Sequence, residues 1–542
     1  ANPVEFSEKL TGLKFKIVDN NGSPSGKKYF MFFNPYALES KKKPSIHQDT
    51  LKLFNTYLKN DLQTICFEIS RKMAEVIALR AKDRLKSEKP ELCNKITAYR
   101  AGYTVDERKK IEDDLKSGKI KGIVTTNALE LGINIGSLDS VIISGYPGTL
   151  ISTWQQAGRA GRRNQESIIT MLAFENPLDQ YFMKHPEVFF NKTHEHAIID
   201  LRGHLKCAAY EIPLKLGEIE SFGFDDEGIV IDEISDLETE GIVKYKDNQW
   251  VYNDIELLKQ DKSPNFEVNL SDVRSEPYKV FNDHKFLEEM SEKQAFREAH
   301  ENAVLIHNGE TYLVRKLDIQ ERRVYVKKKN LNYYTQALKE VDVKLLKKEK
   351  EENIGDIKLS YGSLNVTEKY DRYNTITFSK ISSSKKLNLP PLNFKTKGFW
   401  FTIPYDIRQH LEETLVTSEK FKDVFMGCLQ GVENVMLSVA PFHVMCDTYD
   451  LGGVTKNMHE DTLNATIFIY DGFEGGVGLT NKAYKLFKDI VKMSYELVRD
   501  CDCDNGCPAC IYSSQQQSDD KHLNKEGTLI ILKHLYEIIS NN

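Results

Sequence analysis

Trp154-Gln-Gln-Ala-Gly-Arg-Ala-Gly-Arg-Arg163 decides how this chain folds. Arg159 and Arg162 stand three residues apart, so on a helix they share a face. Gly158 and Gly161 allow close backbone approach. Guanidinium forks suit phosphate oxygens, and an arginine placed at a γ-phosphate stabilises the charge that develops during phosphoryl transfer. An arginine pair alone is ordinarily a solvated helix face. The neighbouring segments lift this one above that reading.

Upstream, Thr125-Thr126-Asn-Ala-Leu-Glu-Leu-Gly132-Ile-Asn134-Ile follows a short apolar run, and Tyr99-Arg100-Ala-Gly102-Tyr103 precedes it with Arg108. Earlier still comes Phe67-x-x-Ser70-Arg71. Residues 64–67, 121–125 and 140–144 read as buried strands. Residues 71–87 and 105–117 read as amphipathic helices, the second stopped by Gly118. Strands and helices alternating at this spacing predict a parallel sheet with helices on both faces.

Residues 176–261 become helical and acidic: from Leu216 to Val243 there are ten Asp or Glu and no Lys or Arg. Ile242-Val-Lys-Tyr and Gln249-Trp-Val-Tyr252, split at Lys246-Asp-Asn248, suggest a hairpin wing after a helix. The acidity favours packing over DNA reading. Residues 268–391 are rich in short strands (303–307, 312–316, 323–327, 341–345, 375–378), which suggests a small barrel or sandwich. Its stretch Arg322-Arg-Val-Tyr-Val-Lys-Lys-Lys329, followed by Tyr333-Tyr334, suits phosphates and stacked bases. It equally suits a solvated strand face with lysines guarding an edge. Helices return at 406–415, 424–440 and 481–499, with a strand at 465–470. Gly472-Phe-Glu-Gly-Gly-Val-Gly478 lacks the Lys-Ser/Thr of a phosphate loop and reads as a tight turn. Asp447, Asp450, His443 and His459 lack regular ligand spacing and read as hydrogen-bonded loop and core residues.

Cys501-x-Cys503-x-x-x-Cys507-x-x-Cys510 is a dense thiol cluster. Four thiolates can close a tetrahedron on Zn²⁺ with no open position, which makes such a site structural. Zinc is the favoured reading; an iron–sulfur cluster or no metal are the alternatives. The other five of the nine cysteines stand singly among apolar neighbours and read as core.

The length of 542 residues predicts several domains, and the net charge of −6 excludes nothing, because local patches decide nucleic-acid binding. From Arg315 to Lys350 twelve basic residues face five acidic ones. No signal segment and no membrane-length apolar run stands out, so the expectation is a cytoplasmic protein with no membrane partner.

In order and spacing, the blocks at Phe67–Arg71, Tyr99–Tyr103, Thr125–Ile135 and Gln155–Arg162 resemble motifs IV, IVa, V and VI of superfamily 2 helicases. Pro441-Phe-His-Val-Met-Cys-Asp-Thr-Tyr-Asp-Leu-Gly-Gly453, Tyr470-Asp-Gly-Phe-Glu-Gly-Gly-Val-Gly-Leu479 and the cysteine run resemble the zinc-binding domain of the mitomycin-repair-factor-A-like, RecQ-related helicases. The likeness spans nearly the whole chain. It implies a multidomain α/β protein with four parts: a RecA-like lobe (1–175), a winged-helix-like module (176–265), a β-barrel-like domain (266–395) and a mainly helical zinc-binding domain (396–542).

It further implies that Arg159 and Arg162 act as arginine fingers, and that Gln155, Gly132 and Asn134 face ATP. Asn134 stands where the family has an acid. Ser70, Arg71, Arg100, Gly102, Thr125 and Thr126 are expected to hold the nucleic-acid backbone, and Cys501, Cys503, Cys507 and Cys510 to hold structural Zn²⁺. The sequence contains no Gly-x-x-x-x-Gly-Lys-Ser/Thr loop and no Asp-Glu-x-His motif. Ala1-Asn2-Pro3 resembles the residues just after the motif that closes a first lobe. The expectation is therefore a 3′–5′ DNA helicase portion, in DNA repair, that acts on a single strand or forked duplex. It would use ATP and Mg²⁺ only with a separate or missing first lobe. A non-catalytic DNA-binding subunit and an RNA helicase are the alternatives.

Overall fold

A computed structural model describes residues 2–11, 13–20, 22, 26–37, 45–131, 133, 135–136, 138–161, 166–190, 201–218, 227–253, 263–266, 277–377, 380–415, 421–448, 450–512 and 523–541. Six strands build the first layer: β1 (Lys28–Phe33), β2 (Thr64–Glu68), β3 (Ile96–Tyr99), β4 (Gly122–Thr125), β5 (Ser140–Ser144) and β6 (Ser167–Leu172). They lie in the order β1-β6-β5-β2-β4-β3, every neighbour parallel. β2, β4 and β5 are buried at every position, as strands covered on both faces must be. Ser70 caps the helix Arg71–Glu88 by accepting from the Met73 amide. Thr104 and Glu107 form a capping box that starts the helix Val105–Lys116. These caps pin the loops at the carboxyl ends of β2 and β3, the end of an open parallel sheet where ligands bind.

The second module packs the helices Leu201–Glu211 and Glu227–Thr239 against the strands β7 (Leu214–Lys215), β8 (Val243–Lys246) and β9 (Gln249–Tyr252). Asp247 and Asn248, at φ 53° and 62°, make the two-residue turn of the β8–β9 wing, as the Lys-Asp-Asn signal suggests. Its core is Leu205, Val230, Ile234, Leu237 and Trp250.

A five-stranded sheet comes next: β10 (Tyr278–Asn282), β11 (Lys285–Met290), β12 (Val304–His307), β13 (Glu310–Asp318) and β14 (Arg323–Lys328), in the order β11-β10-β14-β13-β12. β14 is interior, so its lysines do not guard an edge. The last sheet contains two strands of 21 residues each, β15 (Tyr334–Ile354) and β16 (Ile357–Thr377), with β17 (Lys380–Lys386), β18 (Leu392–Ile403), β19 (Leu451–Lys456) and β20 (Ala465–Asp471). β18 crosses the division placed at 395/396, and β16, β18 and β20 form one continuous sheet. Alternating short runs could not reveal strands this long, because three irregularities in the β15–β16 register break their periodicity.

The helix Phe421–Val444 forms the spine of the C-terminal part. Its segment Asp423–Val444 is long and apolar enough to cross a membrane, but 78% of that stretch is buried inside the protein, the pattern of a core helix. The single helix expected over 481–499 is two, Leu479–Lys485 and Phe487–Arg499, broken at Leu486. One core joins the motor lobe to the C-terminal part, with Phe182 edge-on to Phe442 at 5.8 Å.

Candidate nucleic-acid interface and metal centre

The helix Leu150–Ala157 stops at Gly158, and Gly161 turns the chain at φ 74°. Arg159 therefore sits in a turn, not on the helix expected to carry the arginine pair. Its guanidinium faces inward. Nε donates to the Glu130 carbonyl at 2.9 Å, Nη1 donates to the Ile133 carbonyl at 2.7 Å, and Nη2 also reaches the Glu130 carbonyl. Gln156 adds a 3.0 Å bond to the Glu130 carboxylate. Irregular backbone needs donors for its carbonyls, and an arginine fork supplies several at once. Gln155 is exposed beside them. Arg162, Gly132 and Asn134 lie outside the described residues.

Arg100 and Gly102 do not line the cleft but sit where the motor lobe meets the five-stranded sheet. Arg100 is 5% exposed, with Nε 3.2 Å from the Glu75 carboxylate and Nη2 3.3 Å from that of Glu288 on β11. The Tyr103 hydroxyl donates to Glu75, as do the backbone amides of Asn308 and Gly309 at 3.1 and 3.0 Å. His307 Nδ1 lies 3.3 Å from the Arg100 guanidinium. A Cβ on Gly102 would meet Glu288 Oε2 at 3.0 Å. These residues join the motor lobe to the five-stranded sheet. Arg100 and His307 together hold the Glu288 carboxyl below the usual carboxylate range, against the opposing effect of burial.

Ser70, Arg71, Thr126 and Asn127 open into a cleft of about 1960 Å³ between the motor lobe, both later sheets and the C-terminal part. Lys293, Arg297, Lys339, Tyr333 and Tyr334 line its opposite walls. Lys72 crosses it, donating to the Thr335 carbonyl at 3.0 Å and lying 4.2 Å over the Tyr334 ring; burial pushes its amine down to about 8. Thr125 is fully buried with no hydrogen-bond partner for its hydroxyl among the described residues, next to the cleft-lining Thr126.

A second polar pair, missed in the sequence, sits at the end of β2. Burial pushes Glu68 up to about 8, and burial pushes the neighbouring His47 down to about 4, with Arg80 adding to the shift. Near neutral pH both are uncharged, so their 3.7 Å contact is not an ion pair.

The four cysteines converge. Sγ–Sγ distances are 3.6 Å (Cys501–Cys503), 3.6 Å (Cys501–Cys507), 3.5 Å (Cys503–Cys510) and 3.7 Å (Cys507–Cys510). A tetrahedron with Zn–S bonds of about 2.3 Å has edges of about 3.8 Å. The set fits Zn²⁺ and is far too open for disulfides. Lys525, opening the last helix, donates to the carbonyls of Cys501 and Cys503 at 2.6 Å each. Asp447 and Asp450 bond to each other's segment, and His459 Nε2 lies 3.0 Å from the Val343 carbonyl.

A parallel-sheet lobe with these turn motifs, joined to a four-thiol domain, defines a helicase motor of the RecA-like class. Residues 48–164 match the helicase conserved C-terminal domain, and residues 432–511 match the MrfA Zn-binding domain. The chain is 35% identical to the ATP-dependent helicase YprA of Bacillus subtilis, over 94% of this chain and 67% of that protein. It is 30% identical to the ATP-dependent helicase hrq1 of Schizosaccharomyces pombe, over 98% of this chain and 52% of that protein. The crystal structure of the DUF1998 helicase MrfA bound to DNA superposes with a TM-score of 0.72 at 33% identity, covering 99% of this chain and 70% of that one. A second MrfA structure, bound to DNA and AMPPNP, gives 0.70 over 98% and 69%. This chain belongs to the MrfA-type family of ATP-dependent helicases. It spans about half the length of the fission-yeast relative. The matches run along nearly all of the chain and lend no support to a separate first-lobe subunit.

Proposed function

We propose that this chain is the strand-gripping, C-terminal portion of a 3′–5′ DNA helicase that serves DNA repair. The observation that carries the reading is the shared cleft: Ser70, Arg71 and Thr126, from two different loops of the motor lobe, face the basic and aromatic wall of Lys293, Arg297 and Tyr333. Hydroxyls and guanidinium groups hold phosphates, and the ring offers a stacking face. MrfA bound to DNA has this fold, which supports DNA over RNA as the polymer.

ATP with Mg²⁺, bound at a phosphate-loop lobe, would supply the free energy for closing that lobe on this one. In this chain Gln155, Gly132 and Asn134 would contact the nucleotide, and Arg162 its phosphates. Arg159 keeps the 130–133 segment in shape. Motor, wing module and accessory sheet follow one another, with Leu178, Phe182 and Phe189 counted in the motor core, and the zinc loop holds the C-terminal geometry.

The test measures ATP hydrolysis and strand displacement on 3′-tailed and 5′-tailed duplexes. The 542-residue chain is assayed alone and joined to a phosphate-loop helicase lobe. The expected result is DNA binding without turnover for the chain alone, and displacement of 3′-tailed duplex once joined. Turnover by the isolated chain, or displacement on 5′ tails only, would sink the reading.

A further inference from the structure

The five-stranded sheet has one face in its own core and one turned outward. Val280, Val324 and Val326 point into the core. Their neighbours on β10 and β14 point the other way: Lys279 pairs across with Arg323, and Phe281 with Tyr325. Phe286 on β11 lies opposite Phe281. Lys279, Arg323 and Lys327 are exposed, and the three rings between them are part-exposed. Phe281 is 5.9 Å from Phe286 and 6.5 Å from Tyr325, and the Arg323 guanidinium stands 5.8 Å from the Phe281 ring centre. None of these six residues lines the cleft.

The face is basic. On it Lys279, Lys316, Arg323 and Lys327 stand against two acids: Glu289, across from Lys279, and Asp318, across from Arg323 and paired with Lys316 at 2.6 Å. Lys279, Arg323 and Lys327 have no carboxylate partner among the described residues. Arg323 and Lys327, four residues apart on one strand, span about 13 Å, the reach of two or three nucleotides. Rings that share a sheet face with cations match bases that stack while their phosphates pair, and they do so without regard to sequence. An acidic peptide would use the cations and leave the rings idle.

We propose that this outer face is a second landing site for single-stranded nucleic acid, apart from the cleft, with bases stacking on Phe281, Phe286 and Tyr325 and phosphates paired with Lys279, Arg323 and Lys327. It deepens the helicase reading and rests on the chain handling a nucleic-acid strand. The strand held here is one the motor is not gripping.

The test uses the full chain with a fluorescein-labelled 20-mer of deoxythymidine, its uridine RNA counterpart and a 20-base-pair duplex. Binding is followed over a salt series, and 5-iodouracil crosslinks are mapped by mass spectrometry. Crosslinks are expected at Tyr325 or Phe281 with either single strand, and not with the duplex. The triple variant Lys279→Ser/Arg323→Ser/Lys327→Ser should shallow the slope of log affinity against log salt by about 2, at about 0.7 per phosphate contact. Tyr325→Leu should weaken binding about tenfold while the thermal melt is unchanged.

Arg71→Ser, in the cleft, should leave the Tyr325 crosslink in place. Crosslinks confined to the cleft, with the salt slope unmoved in the triple variant, would overturn the second site and leave the helicase reading standing. No binding change in any variant, Arg71→Ser included, would overturn both. Displacement by polyglutamate as readily as by the oligonucleotide would show a charge-only surface and overturn the stacking role.

Discussion

Arg100 of the motor lobe and Glu288 of the neighbouring sheet lie 3.3 Å apart and are both more than nine-tenths buried. Two parts of the chain separated by 188 positions are tied through one guanidinium, which also holds Glu75.

Removing that guanidinium leaves two buried carboxylates without their cation. Arg100→Ala is expected to cost roughly 3–5 kcal/mol in urea unfolding, more than the same change at an exposed arginine. A loss below about 1 kcal/mol would mean that water or His307 replaces it. The lowered Glu288 carboxyl contributes stability above the ordinary carboxylate range, and this is lost as pH falls through its folded value.

Glu68 works in the opposite direction. Its carboxyl, pushed up to about 8 by burial, keeps a proton in the folded state that the unfolded chain has already released. Stability therefore falls as pH rises from about 4.5 to about 8, by at most roughly 1.4 kcal/mol per pH unit. Glu68→Gln should flatten that decline. Melting temperatures of both proteins from pH 5 to 9 check it, and parallel curves would count against the buried, protonated carboxyl.

The bonds from Lys525 to the Cys501 and Cys503 carbonyls hold the loop that presents two of the four thiolates. Lys525→Met is expected to weaken zinc about tenfold or more, within the usual range for groups that orient metal ligands. Lys525→Arg should recover part of the loss. Competition with a zinc-binding dye measures it, and the Co²⁺-substituted protein should shift its sulfur-to-metal absorption only in the Met variant.

Arg159→Ala leaves the Glu130 and Ile133 carbonyls short of donors. Faster amide exchange in residues 130–136 is expected, with a stability loss of about 1–3 kcal/mol. Unchanged exchange there would show that the segment holds itself.

The lobe was legible because parallel strands buried on both faces are short apolar runs. The zinc loop was legible because its four ligands fall within ten consecutive residues. The features that stayed hidden depend on partners distant in the chain. Nothing near Arg100 announces Glu288, so only the helicase resemblance gave that arginine a role. The break at Leu486 is invisible because apolar spacing continues across it. Arg159 belongs on a helix only if its two flanking glycines merely permit close approach, whereas they end the helix and turn the chain.

β18 runs from Leu392 to Ile403, paired with β16 on one side and β20 on the other. The chain therefore cannot be dissected near residue 395 into an accessory piece and a zinc piece. Either product would expose a long, unpaired strand edge, a template for association with other copies. Fragments cut there should precipitate, whereas a cut before β10 severs no sheet.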